Sequence, residues 1–410
     1  MEMTETPNGV PKKLSIVIPA WNEESGISAI IDRVLAVGPK LNSCGIDPLE
    51  LIVVDDGSQD LTAKKVSLHA GVSLVRHEYN RGYGAALKSG FNFATGDFLG
   101  FLDADGTYPP EFLPEFCQAL LGGADVVVGS RRSGAASEMP FIRQVGNFIW
   151  SNLLTLIAGK KIHDPASGMR VFKRQVLERI YPLPDGLNFT PVMSTRTAHE
   201  NMQVVELPIP YKERIGRSKL SVMGDGMRFL RTILWTALNY NPVRILGGMG
   251  VLMVGISLLI SGILVAIRLS GVTVLGPWGV AATYSAVVLG IAGVDLFALG
   301  VTFNYLVSLF HRQPIRQGLF GKPILKTPID RHFWWMGLLM ILCGAALGFV
   351  SFILALNEWH IERLWLYLLA GSMGTLVGFQ LVIFWVIVRI LEELSQRDLR
   401  VLVDMGPKNL

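Results

Sequence analysis

Charge is scarce in this chain. Lys, Arg, Asp and Glu make up 17% of its 410 residues and hydrophobic residues 50%, whereas roughly a quarter of an average soluble protein is charged. That composition excludes a disordered or collagen-like chain. The length excludes a single small module, because about 150 residues per domain corresponds to two or three units. Cysteine is nearly absent: Cys44, Cys117 and Cys343 are far apart, show no metal-site spacing and read as buried thiols of a reducing compartment. An apolar run near the N-terminus is also missing, since residues 1–13 are polar and rich in turn formers, so no signal peptide is expected.

The shortage of charge is uneven. The first 242 residues hold 25 basic and 25 acidic side chains, whereas the last 168 hold 12 basic and 8 acidic and carry the whole net charge of +4. The basic excess therefore lies beside apolar segments, where it anchors membrane-facing loops, and no nucleic-acid partner is expected. Four apolar stretches follow Asn241-Pro242, at 245–267, 278–310, 333–356 and 364–388. Each exceeds the roughly 20 helical residues that cross a ~30 Å hydrocarbon core, which predicts four transmembrane helices. Between the second and third stand Arg312, Arg316, Lys322, Lys326 and Arg331 against Asp330, and the C-terminal tail carries Arg389, Arg397, Arg400 and Lys408. The turns after Ile267 and Leu356 are poor in Lys and Arg. This asymmetry predicts an integral multi-pass protein with both termini and the large N-terminal domain cytoplasmic. Asp295 is the one charge well inside a span; it reads either as functional or as the structural partner of a residue such as Asn304.

The N-terminal half alternates two periods. Short β-branched runs at 14–19, 51–54, 72–75, 98–102 and 126–128 are separated by segments of helical period such as 27–37 and 85–94. This pattern predicts an α/β domain with a mostly parallel sheet, whose ligands sit beyond the carboxyl ends of strands. The acids stand there: 51–54 runs into Asp55-Asp56-Gly57-Ser58, and 98–102 into Asp103-Ala104-Asp105-Gly106. Strand alternation points Asp103 and Asp105 the same way, a spacing suited to one hard divalent cation with phosphates as further ligands. A single such pair reads better as turn-capping aspartates; two in this order favour a site.

These residues carry a resemblance. The strings Ser15-Ile16-Val17-Ile18-Pro19-Ala20-Trp21-Asn22-Glu23-Glu24, Val53-Val54-Asp55-Asp56-Gly57-Ser58, Asn80-Arg81-Gly82-Tyr83-Gly84-Ala85-Ala86-Leu87, Asp103-Ala104-Asp105, Gly129-Ser130-Arg131, Asp164-Pro165-Ala166-Ser167-Gly168-Met169-Arg170 and Gly216-Arg217-Ser218-Lys219-Leu220 span most of 14–220. In order and spacing the chain resembles family-2 glycosyltransferases, and within them the polyprenyl-phosphate hexosyltransferases of the dolichyl-phosphate mannose synthase type. The resemblance implies a Rossmann-like GT-A domain followed by an α-helical membrane domain of four transmembrane helices. It implies a nucleotide pocket of Pro19, Trp21, Glu23, Asp55, Asp56, Asp103, Ala104 and Asp105, with Asp103 and Asp105 binding Mg2+ or Mn2+. Asp103, Asp105 and Arg131 would be catalytic. Two positions depart from the family: Thr107 stands where a Gln often helps ligate the metal, and His163 where a basic residue often precedes the D-x-x-S-G motif.

The resemblance also implies a lipid-phosphate acceptor, and the composition of 190–200 agrees with it. Transfer to a sugar hydroxyl calls for a carboxylate base, but TPVMSTRTAHE contains no acidic pair, only Glu200. A lipid monophosphate is already anionic and needs donors and cations instead, which Arg131, Ser167, Arg170, Arg214 and Lys219 offer. The expected reaction is inverting transfer of one hexose to a polyprenyl phosphate on the cytoplasmic leaflet. Mannose from GDP-mannose is the first choice and glucose from UDP-glucose the alternative; a processive polysaccharide synthase and a non-enzymatic lipid-sugar translocator fit less well. Segments 145–157 and 223–238 suit interfacial helices that meet membrane lipid. The expected divisions are a tail at 1–13, the transferase domain at 14–220, an interfacial helix and linker at 221–242, the membrane domain at 243–392 and a tail at 393–410.

Overall fold

The five short apolar runs become strands, and two further strands join them. In the computed structural model, which describes residues 11–131, 141–158, 162–200, 202–210, 222–272, 274–311, 329–357, 359 and 361–405, the strands are β1 (Lys12–Ala20), β2 (Ile46–Asp55), β3 (Val72–Arg76), β4 (Phe98–Phe101), β5 (Val126–Ser130), β6 (Arg170–Lys173) and β7 (Val204–Pro208). They form one sheet in the order β3-β2-β1-β4-β6-β5-β7. All neighbours are parallel except β6, which runs antiparallel to both β4 and β5. β6 and β7 were not expected, because Arg-Val-Phe-Lys and Val-Val-Glu-Leu-Pro are too short and too polar at their ends to show a period.

Alternation along the strands divides the core in two. Leu14, Ile16, Ile18 and Val53 face one side, against Ile27, Ile30, Ile31 and Val34 of the helix Ile27–Leu35 and against Phe116 and Leu120. Val17, Ile52, Val54, Leu99 and Phe172 face the other, against Ala86, Leu87 and Phe91 of the helix Tyr83–Phe93 and against Phe189 and Met193 of the helix Phe189–His199. Both faces are covered, which is why the strands read as continuous apolar runs. The reversal of β6 has a geometric consequence: Arg170, at its start, pairs with Phe101 at the end of β4 and with Val128 near the end of β5. The loop entering β6 is thereby delivered to the edge where the acids stand.

The chain divides into two compact units, Met1–Thr236 and Ala237–Leu410. Four helices in the second are long and apolar enough to cross a membrane, at Val243–Leu269, Pro277–Phe310, Ile329–Leu356 and Leu364–Leu394. Small residues let the last two approach closely: a Cβ at Gly344 would stand 2.6 Å from the carbonyl oxygen of Gly371. Asp295 has Gln380 as its partner rather than Asn304, with the amide Nε2 donating to Asp295 Oδ2 at 3.0 Å. Asp330 is buried, not a loose loop acid, and accepts from Tyr305 Oη at 2.9 Å and Arg389 Nη2 at 3.1 Å.

Candidate active site

The carboxyl ends of β1, β2 and β4 are adjacent, and each delivers one of the singled-out segments. Ala20 pairs with Asp55 in the ladder, Asp56 N donates to Ala20 O at 2.8 Å, and Leu102 N donates to Val17 O at 3.3 Å. Pro19 is buried at the end of β1, while Trp21 beyond it is 40% exposed and presents an aromatic face at the rim. Asn22 takes the left-handed φ of 51° that turns the chain back, its Oδ1 accepting from Gln59 N at 2.9 Å. Glu23 N donates to Thr62 Oγ1 at 2.9 Å. The turn thus ties the segment after β1 to the segment after β2.

Asp55, the last residue of β2, and Asp56 after it are both buried. Asp55 Oδ1 accepts from Ser58 N at 3.1 Å and Oδ2 from Arg76 Nε at 3.4 Å. Asp56 Oδ1 takes Arg81 N at 2.9 Å and lies 2.6 Å from His77 Nδ1, and Oδ2 takes Gly82 N at 2.8 Å. Asp56 therefore clamps the Asn80-Arg81-Gly82 turn, which leads directly into the helix Tyr83–Phe93.

Asp103 and Asp105 follow β4, both half-buried, with Ala104 buried between them. Asp103 Oδ1 accepts from Tyr83 Oη at 2.8 Å, and Asp105 Oδ1 accepts from Thr107 Oγ1 at 2.6 Å. The Asp103 carboxylate lies flat against Gly168: a Cβ there would stand 2.7 Å from Asp103 Cγ. Only glycine allows this approach, which explains the glycine of the D-x-x-S-G loop. Among the described residues no group of three or more His, Cys, Asp or Glu side chains could hold a metal by itself. Two hard carboxylates at a strand end nevertheless fit a divalent cation whose remaining ligands are phosphate oxygens and water.

Beside them stands a cation. Arg131, at the end of β5, donates to Asp164 through N at 3.0 Å, Nε at 2.7 Å and Nη2 at 2.7 Å, and its guanidinium lies 5.9 Å from the Tyr108 ring centroid. Burial pushes the Asp164 carboxyl up, but the Arg131 charge, its hydrogen bonds and that of Asn147 outweigh this and hold it below the ordinary value. Ser167 and Arg170 lie underneath this loop. Ser167 Oγ donates to Gly129 O at 2.6 Å; Arg170 donates to Ser167 O at 3.2 Å and to Pro165 O at 2.8 Å. Burial lowers the Arg170 guanidinium to about 10, Asp164 opposing it, so it stays charged at neutral pH. Arg170 also borders a cavity of about 330 Å³ with His163, Asp164, Ser194 and Glu206. Glu200 is buried at the end of its helix, 3.6 Å from Arg179. Arg214, Arg217, Ser218 and Lys219 lie outside the described residues.

Residues 15–181 match the family described as glycosyl transferase family 2. They form a family-2 glycosyltransferase domain. Residues 242–402 match a domain of unknown function, DUF8752. Two similar proteins bracket the relatives. A dolichyl-phosphate hexose transferase of Haloferax volcanii is 29% identical over 55% of this chain and 94% of its own length. An undecaprenyl-phosphate 4-deoxy-4-formamido-L-arabinose transferase of Serratia proteamaculans is 29% identical over 73% of this chain and 90% of its own. Among solved structures, glucosyl-3-phosphoglycerate synthase from Mycobacterium tuberculosis, in complex with Mn2+, UDP and phosphoglyceric acid, is 22% identical with a TM-score of 0.46, covering 55% of this chain and 78% of that one. The family-2 domain has the GT-A type of sheet, and the helices long enough to span a membrane follow it. Tyr83, His77 and Asp164 hydrogen-bond to Asp103, Asp56 and Arg131 respectively. Sequence reasoning assigned them no role, and the one available signal was that Tyr83 and Asp164 fall inside motif strings.

Proposed function

We propose that the chain transfers one sugar from a nucleotide sugar to a polyprenyl phosphate, acting at the cytoplasmic leaflet. The observation that carries this reading is the meeting of the Asp103-Ala104-Asp105 strand end with the D-x-x-S-G loop and its Arg131–Asp164 pair. Asp103 and Asp105 follow β4 and Arg131 follows β5, the two strands that flank β6, so the donor and acceptor positions lie at one edge of the sheet. The names of the two lipid-phosphate relatives support the same acceptor class.

In this mechanism the acceptor phosphate oxygen attacks the anomeric carbon and forms the new C–O bond. The bond from that carbon to the donor's diphosphate breaks, the nucleoside diphosphate leaves with the electron pair, and configuration inverts. Asp103 and Asp105 would hold Mg2+ or Mn2+, which when bound supplies charge to the leaving diphosphate. Pro19, Trp21, Glu23, Asp55, Asp56 and Ala104 frame the nucleotide, Asp55 and Asp56 through the turns they clamp. Arg131 offers the acceptor phosphate a positive charge positioned by Asp164. Ser167 and Arg170 act through the loop they hold, and Arg214 and Lys219 are proposed as further cationic contacts of the acceptor phosphate. No protein base is required, because the nucleophile is already an anion.

Membrane apposition is supported by the helices Phe141–Ala158 and Val222–Tyr240. Val145, Phe148 and Ile149 are exposed on the first; on the second Met227 and Trp235 are exposed while Ile233 and Ala237 are buried. Each therefore keeps an apolar surface after its core face is satisfied, as an interfacial helix does. A reporter fused after Leu410 and one inserted near Gly318 are expected to read cytoplasmic, and one near Gly271 external. An external C-terminus would overturn the orientation.

Mannose from GDP-mannose is the first choice of donor and glucose from UDP-glucose the second. Membranes containing the protein, incubated with a panel of labelled nucleotide sugars, are expected to move one label into an organic-extractable, acid-labile lipid. Label that appears only in free sugar or polymer would reject the lipid-phosphate acceptor.

A further inference from the structure

Two hydroxyl groups stand behind the acidic pair, and they come from different places. Thr107 reaches Asp105 Oδ1 within its own turn, through Oγ1 at 2.6 Å and N at 3.2 Å. Tyr83 reaches Asp103 Oδ1 from the start of the helix Tyr83–Phe93, at 2.8 Å. A local turn accounts for the first contact but not for the second. The placement of Tyr83 is itself built. Asp56 holds the two preceding amides, Arg81 N at 2.9 Å and Gly82 N at 2.8 Å. His77 stands 2.6 Å from Asp56 Oδ1 through Nδ1 and 2.9 Å from Ser89 Oγ through Nε2, so the clamp is anchored back into the same helix. Gly82 adopts φ +105°, and a Cβ there would come 2.6 Å from the carbonyl oxygen of Asp185. Ala85 N donates to that oxygen at 3.0 Å. The first turn of the helix is thus fixed from two sides, and Tyr83 is held with its hydroxyl on Asp103.

We infer that Tyr83 and Thr107 are positioning residues that orient the Asp103–Asp105 pair toward a divalent cation bearing a nucleoside diphosphate, with Tyr83 coupling the Asp56 strand end to Asp103. The inference rests on the proposed transferase reading and deepens it. A carboxylate that has one oxygen occupied by a fixed donor cannot rotate freely, and Gly168 closes its other face. The ligand geometry is therefore set before the cation arrives. Hydrogen-bond partners of ligating groups, when removed, typically cost about 10–100-fold in metal affinity.

The test uses the full chain in detergent or nanodiscs. Mn2+ is titrated in the presence of GDP or UDP, and free Mn2+ is followed by its paramagnetic resonance signal. Tyr83→Phe and Thr107→Val are each expected to weaken Mn2+ binding by about 10–100-fold, while Thr107→Ser, which keeps the hydroxyl, stays within a few-fold of wild type. At saturating metal the turnover of both variants should recover more than their KM for nucleotide sugar does, a split that a general loss of folding would not produce. Asp103→Asn separates the failures. If it abolishes Mn2+ binding while Tyr83→Phe and Thr107→Val bind like wild type, the positioning inference is wrong and the metal reading stands. If Asp103→Asn binds Mn2+ like wild type, the metal reading falls and takes the inference with it. Should Tyr83→Phe not fold, the Thr107→Val and Thr107→Ser comparison decides by the same criterion.

Discussion

Asp103→Ala is expected to lower turnover by roughly 10²-fold or more, the scale on which removing one charge-stabilising group from a transition state acts. Asp105→Asn should do the same. The reason lies in the leaving group: a nucleoside diphosphate departs as a concentrated negative charge, and the two aspartates stand together at the end of β4, the strand beside β1. A chelator should reproduce the loss in the wild type, and added Mn2+ or Mg2+ should restore the wild type but not the variants. Steady-state rates with labelled nucleotide sugar measure both. Full activity in EDTA would sink the metal assignment.

Arg131→Ala should act twice, and the structure shows why. Its guanidinium is the fork that neutralises Asp164, whose side chain is 0% exposed against 14% for Arg131. Removing one member of a buried pair leaves the other charge uncompensated and costs about 3–5 kcal/mol of folding stability. That loss should appear as a lowered denaturation midpoint before any assay is run. Arg131→Lys is the better probe of function, because it keeps a charge near Asp164 but loses the planar fork. It is expected to raise the KM for polyprenyl phosphate and lower turnover while leaving nucleotide-sugar binding nearly intact, since only the acceptor loses a charge-assisted contact. Glu200→Gln is the opposing control and should spare activity, because an anionic acceptor needs no base. A Glu200→Gln protein that folds and binds both substrates yet is inactive, alongside a near-normal Arg131→Lys, would make a hydroxyl the better acceptor.

The amino-acid sequence by itself determined the parts whose signals are local. Hydrophobic runs at 14–19, 51–54 and 98–102 became β1, β2 and β4, because a strand buried on both faces must be apolar throughout. The paired acids at their ends were legible as strand-end groups, and the four long apolar segments as helices able to span a bilayer, since length and composition alone decide that. Tertiary structure decided everything that depends on elements far apart in the chain. The reversal of β6 brings the D-x-x-S-G loop to Asp103, yet nothing in Arg-Val-Phe-Lys encodes direction. Arg131 meets Asp164 across 33 positions, Tyr83 meets Asp103 across 20, and Gln380 meets Asp295 across 85. Such contacts leave no periodic trace, because each is set by how two helices or strands pack and not by the residues beside it. Glycine shows the division most plainly: Gly168 reads in the chain as a turn former, and only packing reveals that it is the surface against which a site carboxylate rests.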